Sequence, residues 1–428
     1  MNTKQLLMTA IGVAVTAIAM AVNDYVFYSA RTSPADTAPS ITTQTEQAIW
    51  DATQPGATIT LGQDDMTTDL PRIPWQMTAG GPQLLFADDP EYLAEPEGIA
   101  VREVVRPGVV RIETYNCPLV AQTKDGYTTD SKLGTPLDRK LSLVIENLSK
   151  SPMTLKWKRY SYPTPSTDYL QVAKKAILGY FDENSTTPQT RVIAPEAVEV
   201  LDPAMENILV HYNELANTFH EIEISQPARI SLIQCAPETP TLEAAKRAKP
   251  IKSPNFFPAR GIFPFSEYII RNAPEYVIDT ARGPVQLMLN DGNFFTGLLG
   301  RDTTKPFVGC SVNSHYGVLY KCKLTYTSTD ERPLAVLTWN YDKGSEYDKN
   351  IIGGLPMETP GKFKPGLIAI PSDEPVLPHV PKACLLQILP PPPKGTTATI
   401  EFTYTPPGAC VLPSPIVFMP LNTKRPLQ

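Results

Sequence analysis

Alternation of apolar and polar positions marks the clearest segments of the chain. In "YKCKLTY", Tyr320, Cys322, Leu324 and Tyr326 fall on one side and Lys321, Lys323 and Thr325 on the other. This period of two buries one face of a strand. "TATIEFTYT" repeats it, with Ala398, Ile400, Phe402 and Tyr404 inward and Thr399, Glu401 and Thr403 outward. "GVVRIETYNC" sets Val110 and Ile112 against Arg111 and Glu113, and "FHEIEI" sets Ile222 and Ile224 against Glu221 and Glu223. All four predict half-buried strands.

Two longer stretches share one plan. "LSLVIENLSKSPMTLKWKRY" and "YKCKLTYTSTDERPLAVLTWNY" each read as strand, Pro-bearing turn, strand. Leu143 to Pro152 and Leu324 to Pro333 both span nine residues. From that Pro to the next Trp is five residues in the first copy (Trp157) and six in the second (Trp339). A one-residue slip of this kind is what a β-bulge produces. The repeat predicts a duplicated architecture in which both tryptophans are core.

Helical periodicity is confined to short insertions. In "STDYLQVAKKAILGYF", Leu170, Ala173, Ile177 and Phe181 share a face, and Asp168 is one of three candidate caps. "LDPAMENILVHYNELAN" opens on Asp202-Pro203, a cap followed by proline in the first turn. "ETPTLEAAKRAKPIKSP" reads as a basic, solvated connector with one helical turn.

Composition agrees with a β-rich reading. The 428 residues include 45 Pro and 24 Gly, and only 19% are charged. Such punctuation suits short strands, and the length suits two domains. A formal net charge of -6 disfavours a nucleic-acid partner, because the phosphate backbone repels it.

The N-terminus predicts export. Lys4 precedes an apolar run from Leu6 to Val22, and Ala19-Met20-Ala21 has the small-x-small form of a cleavage site. Residues 1–21 are therefore expected to be a signal peptide. Residues 22–75 are expected to be a flexible acidic tether, since seven acids face one base between Asp24 and Asp69. The folded body then divides into a first β-sandwich-like domain (76–237), a linker (238–254) and a second β-sandwich-like domain (255–428). The fold class expected is mostly β, as two tandem sandwiches with a few inserted helices.

Export makes disulfides the expected state of Cys117, Cys235, Cys310, Cys322, Cys384 and Cys410. Pairing within each half gives Cys117–Cys235, Cys310–Cys322 and Cys384–Cys410. Cys322 with Cys384 or Cys410 is the competing arrangement.

"GVVRIETYNCPL", "LSLVIENLSKSPMTL", "ARGIFPFSEY", "SHYGVLYKCKLTYTSTDERPLAVLTWNY" and "GGLPMETPGKF" together resemble a family of exported proteins of unknown function, best known from cyanobacteria. His315-Tyr316-Gly317-Val318-Leu319-Tyr320 stands where that family has a strand leading into a Pro-bearing turn. The resemblance implies export and a β-rich fold, and no activity. The six cysteines and the inserted helical stretches depart from the family pattern.

No catalytic, metal or cofactor signature stands out. The four histidines lack metal-pair spacing, and no nucleophile elbow, P-loop or dinucleotide fingerprint occurs. Asp64, Asp65, Asp69, Asp88 and Asp89 could supply oxygen ligands, but the glycine and terminal glutamate of a calcium loop are missing. Asn290 to Asn293 reads as a hairpin turn. The densest aromatic cluster is "NFFPARGIFPFSEY", where Phe256, Phe257, Phe263, Phe265 and Tyr268 surround Arg260. It predicts either a plug between the domains or a partner-binding surface. The expected function is a structural or adhesive role at the cell envelope or outside the cell, through contact with other envelope or surface proteins or with itself. Polysaccharide binding is the alternative. A hydrolase would need a buried carboxylate pair in the interdomain cleft.

Overall fold

The computed structural model describes residues 24–27, 41–65, 70–183, 189–289, 298–306, 308–341, 352–370, 376–377, 381–410, 412, 414–423 and 425. The expected signal peptide and the 290–293 turn lie outside the described residues. The fold is mostly β, with three α-helices among the described residues.

Four larger sheets form two sandwiches. In the first, an outer sheet of four strands faces an inner sheet that contains Met153–Ser161, Ala216–Ile224, Gly108–Pro118 and Gln83–Ala87. Val110, Ile112, Leu143, Ile145, Ile222 and Ile230 fill the space between them. In the second, an inner sheet containing Trp75–Gly80, Glu267–Asn272, Leu319–Thr327 and Ala398–Tyr404 faces an outer sheet containing Leu334–Thr338, Lys382–Leu389 and Ile416–Pro420. Tyr320, Cys322, Leu324, Tyr326, Ile400, Phe402 and Tyr404 are in that core, on the side their alternation assigned them.

The repeated stretches occupy equivalent places, but neither is a hairpin. Lys140–Asn147 lies in the first outer sheet and Met153–Ser161 in the first inner sheet, so the Pro152 turn crosses between sheets. Leu319–Thr327 and Leu334–Thr338 are likewise split across the second sandwich. In each half a later pair of strands crosses back and zips against the first pair. Ala216–Ile224 and Ala228–Cys235 do this in the first sandwich, and Lys382–Leu389 and Ala398–Tyr404 in the second. Both copies carry a register shift, at Trp157/Arg159 and at Val336/Leu337. Trp157 and Trp339 are both buried.

Sheet pairing runs across the expected domain limits. Trp75–Gly80 pairs with Glu267–Asn272 in the second sandwich. Arg260–Phe263 pairs with Gln83–Ala87 and extends the first inner sheet. Within the stretch expected to be a tether, Thr43–Asp51 forms a helix capped by Thr42. Its Ile49 and Trp50 pack against Leu385, Val417 and Leu421 on the far side of the second outer sheet. The helix expected after Asp202 shortens to a single 3-10 turn, Pro203–Asn207, because the chain is then drawn into an extended bridge between Val210 and Arg139. Tyr169–Phe181 is helical, with Asp168 as the cap.

The six cysteines are buried thiols, and the expected disulfides are not formed. Cys117 and Cys235 sit in separate apolar clusters, one beside Tyr115 and Val172 and the other under Ala244. Cys310, Cys322 and Cys384 belong to the large second core, each on a different strand. The Cys410 thiol lies 3.7 Å from Ser414 Oγ. Each behaves as a small apolar side chain.

Candidate functional site

The aromatic cluster around Arg260 divides between surface and interior. Phe263 and Tyr268 are buried in the second core and Phe265 packs against it. Arg260 is buried in the first sandwich, donating from Nε to Asp302 Oδ2 at 2.8 Å, from Nη1 to the Ile251 carbonyl at 2.7 Å and from Nη2 to Thr304 Oγ1 at 2.8 Å. Only Phe256 and Phe257 reach the surface, 69% and 49% exposed. Their rings meet edge to face, with centroids 4.8 Å apart at 87°. The loop that carries them is pinned. Asp89 accepts from Ser253 Oγ and from Asn255 Nδ2, both at 2.8 Å. Lys305 Nζ donates to the Ser253 carbonyl at 3.3 Å and also to that of Asn255.

A second polar assembly lies where the sandwiches meet. The outward face of Gly108–Pro118, expected to be solvated, is covered by the Tyr169–Phe181 helix and by the start of the second inner sheet. Arg111 is 1% exposed there, and five hydrogen bonds engage its guanidinium. Nε donates to Tyr180 Oη (3.1 Å), Nη1 to the Ser266 carbonyl and hydroxyl (2.8 Å each), and Nη2 to Glu221 and Glu267 (2.9 Å each). Burial alone would lower the Arg111 pKa, but Tyr180, Glu221 and Glu267 reverse this and raise it. Burial pushes Glu267 up, yet Lys321 and Arg111 outweigh it and hold its carboxyl below the usual range. Arg111 and Glu221 are direct cross-strand partners, an opposite-charge pair set by register. "VVRIETY" and "FHEIEI" held this signal as opposite charges at alternating sites, but their contact depends on a pairing that periodicity does not specify.

Glu113, two residues on, shares this face without a matching cation. Its side chain is buried, and Oε2 has no hydrogen-bond partner among the described residues. Burial pushes its pKa well up and Asp88 adds to the shift, against weaker opposing effects from Arg111 and Asn217. Asp88 is raised in turn by burial and then by Glu91 and Asp89. The parallel register that sets Phe86 beside Glu113 brings Asp88, two residues later, to the same face. Tyr115 and Tyr316 close around the acids, and burial raises both phenols, with Asp88 contributing to each.

The histidines are separate. His220 is buried and stacked on Tyr160 (4.7 Å, 5°), and burial lowers its pKa to about 3, so it is neutral. Exposed His211 pairs with Asp138 at 2.9 Å. His315 contacts Tyr320 in the second core, and His379 lies outside the described residues. Asp65 accepts from the Thr42 amide at 3.0 Å and so serves the cap of the first helix. Among the described residues, no group of three or more His, Cys, Asp or Glu side chains is placed to hold a metal ion. No helix among them is long and apolar enough to cross a membrane.

No protein-family model matches the chain, and no curated protein matches it. Among solved structures, the crystal structure of PBSX exported protein XepA aligns over 75% of this chain and 86% of that chain, at 9% sequence identity and a TM-score of 0.12. A superposition that loose supports no argument about fold or function.

Proposed function

We propose that the chain is an exported structural or adhesive protein of the cell envelope or its exterior, acting through contact with another envelope or surface protein. The observation that carries this reading is the Phe256–Phe257 pair, which is exposed on a loop held rigid by Asp89 and Lys305. Large apolar rings fixed before binding lose little entropy on association, which is what makes an interface anchor effective. The apolar leader from Leu6 to Val22 supports export.

Polysaccharide binding is less well supported by the same pair. Sugars stack on flat ring faces, whereas these rings stand at 87° and form a wedge. A hydrolytic carboxylate pair is also disfavoured, because Glu113 is sealed beneath Tyr316 and Gly317.

The test is binding of the purified full chain to envelope fragments from its source cells. Retention should be lost when the fragments are stripped with protease, and lost again with the Phe256→Ser/Phe257→Ser double variant. Retention that survives protease but fails after glycosidase treatment would replace this reading with the polysaccharide one. Equal retention of the double variant would remove the loop from the binding surface.

A further inference from the structure

Gly317 explains how the second sandwich is able to cover Glu113. It takes the left-handed conformation at φ +77°, and a Cβ there would stand 2.7 Å from Glu113 Oε2. Only glycine lets the 313–318 turn lie this close over the carboxyl. From that turn Tyr316 donates to the Cys410 carbonyl at 3.3 Å, and the Leu319 amide donates to the Ser266 carbonyl at 2.9 Å. Both bonds lie within the second half and hold the turn in place there; the crossing to the first inner sheet is made two residues from Glu113, where Arg111 donates to Ser266 and Glu267. The acid therefore sits beside that crossing and beneath the turn, at the seam between the two inner sheets.

We propose that this seam is a proton-held latch, closed while Glu113 is protonated and loosened when Glu113 ionises beside Asp88. The groups around Glu113 come from every side. Asp88 approaches from the segment after Gln83–Ala87, Arg111 shares its strand, and Asn217 lies on the neighbouring strand. Tyr316 faces it from the second half. Arg111 is the one cation among these groups, and its five donated bonds go to Tyr180, Ser266, Glu221 and Glu267. An ionised Glu113 would thus be a buried charge next to a second carboxylate, an arrangement that sheds charge or opens to water.

The direction of the pH effect follows from linkage. Glu113 and Asp88 hold protons more tightly in the folded chain than in the unfolded one. Their stabilisation is complete below the unfolded carboxyl values of about 4, and is lost as pH rises through the folded values.

The experiment is thermal unfolding of the full chain from pH 5 to pH 8.5, with hydrogen exchange of the 313–319 amides at each pH. Glu113→Gln keeps the shape and cannot ionise. Relative to Glu113→Gln, the wild-type Tm should fall by at least about 3 °C across this range. At pH 8.5 the wild-type 313–319 amides should exchange faster than those of the variant. Asp88→Asn, which leaves Glu113 in place, should shrink the fall without abolishing it and serves if Glu113→Gln does not fold. Parallel Tm profiles for wild type and either variant would overturn the latch, as would equal exchange in 313–319.

Discussion

Arg111 and Glu113 leave one strand on one face, two residues apart, and both are buried to the same degree. The chain treats them in opposite ways. Around the cation it gathers two carboxylates, a phenol and a serine, so the charge survives burial. Around the acid it sets Asp88 and the Tyr316 phenol, so burial favours the neutral form. Burial alone therefore does not decide whether a charge persists. The number and sign of the groups that converge on it do, and here those groups come from both sandwiches.

The harshest way to break this contrast is Arg111→Leu. It strands Glu221 and Glu267 without their shared partner and should cost about 3–5 kcal/mol, read from the urea midpoint at constant m. Adding Glu221→Gln and Glu267→Gln to that variant should recover much of the loss, because no buried carboxylate is then left unpaired and the Lys321 ammonium, which loses Glu267, is open to water. A cost below about 1 kcal/mol for Arg111→Leu would mean that the cation contributes position rather than stability.

Gly317→Ala probes the acid's side more gently. It combines a left-handed φ with a Cβ pressed on Glu113 Oε2, and should cost about 1–3 kcal/mol. In a Glu113→Ala background the same change should cost less, since the close contact is gone while the backbone strain remains. Strict additivity in that double-mutant cycle would deny the contact between turn and acid.

The mildest change is Tyr180→Phe. Tyr180 Oη donates to Glu221 at 2.9 Å and accepts from Arg111, while its ring stays packed on Phe219. Losing the hydroxyl alone should cost about 1–2 kcal/mol in the same urea titration. A neutral result would place all of the compensation in the carboxylates.

Much of the architecture was legible from period and spacing. Alternation identified the core faces of "YKCKLTY" and "TATIEFTYT". The one-residue slip before Trp339 is not a bulge in Leu334–Thr338: the residue left out of the pairing is Leu386 on the partner strand, whereas in the first copy it is Lys158, after Trp157. What alternation could not show was partnership. A polar residue opposite an apolar one reads as solvated, so Arg111 and Glu113 looked exposed until a second sheet covered them. The Pro152 and Pro333 turns look like hairpin turns because the sequence does not record which sheet receives the next strand. The disulfide expectation rests on compartment, which the sequence suggests through its leader, whereas the state of the thiols follows from their neighbours, which are apolar side chains. The segment before Trp75 reads as a polar tether in which only Trp50 and the "TITLG" run are candidates to dock. Ile41, Ile49, Trp50, Ile59 and Leu61 all enter the apolar cluster on the second outer sheet, Thr58–Thr60 pairs with that sheet, and Thr42 and Asp65 supply the helix cap.

That docked helix sets an order of events during synthesis. Glu46 accepts from the amide of Asn422 at 3.2 Å, and the Asn422 side chain donates to the Ile41 carbonyl at 3.1 Å. The helix thus has part of its binding surface in a segment made 376 residues later. Trp75–Gly80 must similarly wait for Glu267–Asn272. The first sandwich can collapse while both segments remain unpaired, and contacts of such long sequence separation form slowly. Until the 383–421 segment emerges, Ile49 and Trp50 stay open to wrong partners, so their exposure during synthesis is governed by sequence separation rather than by stability.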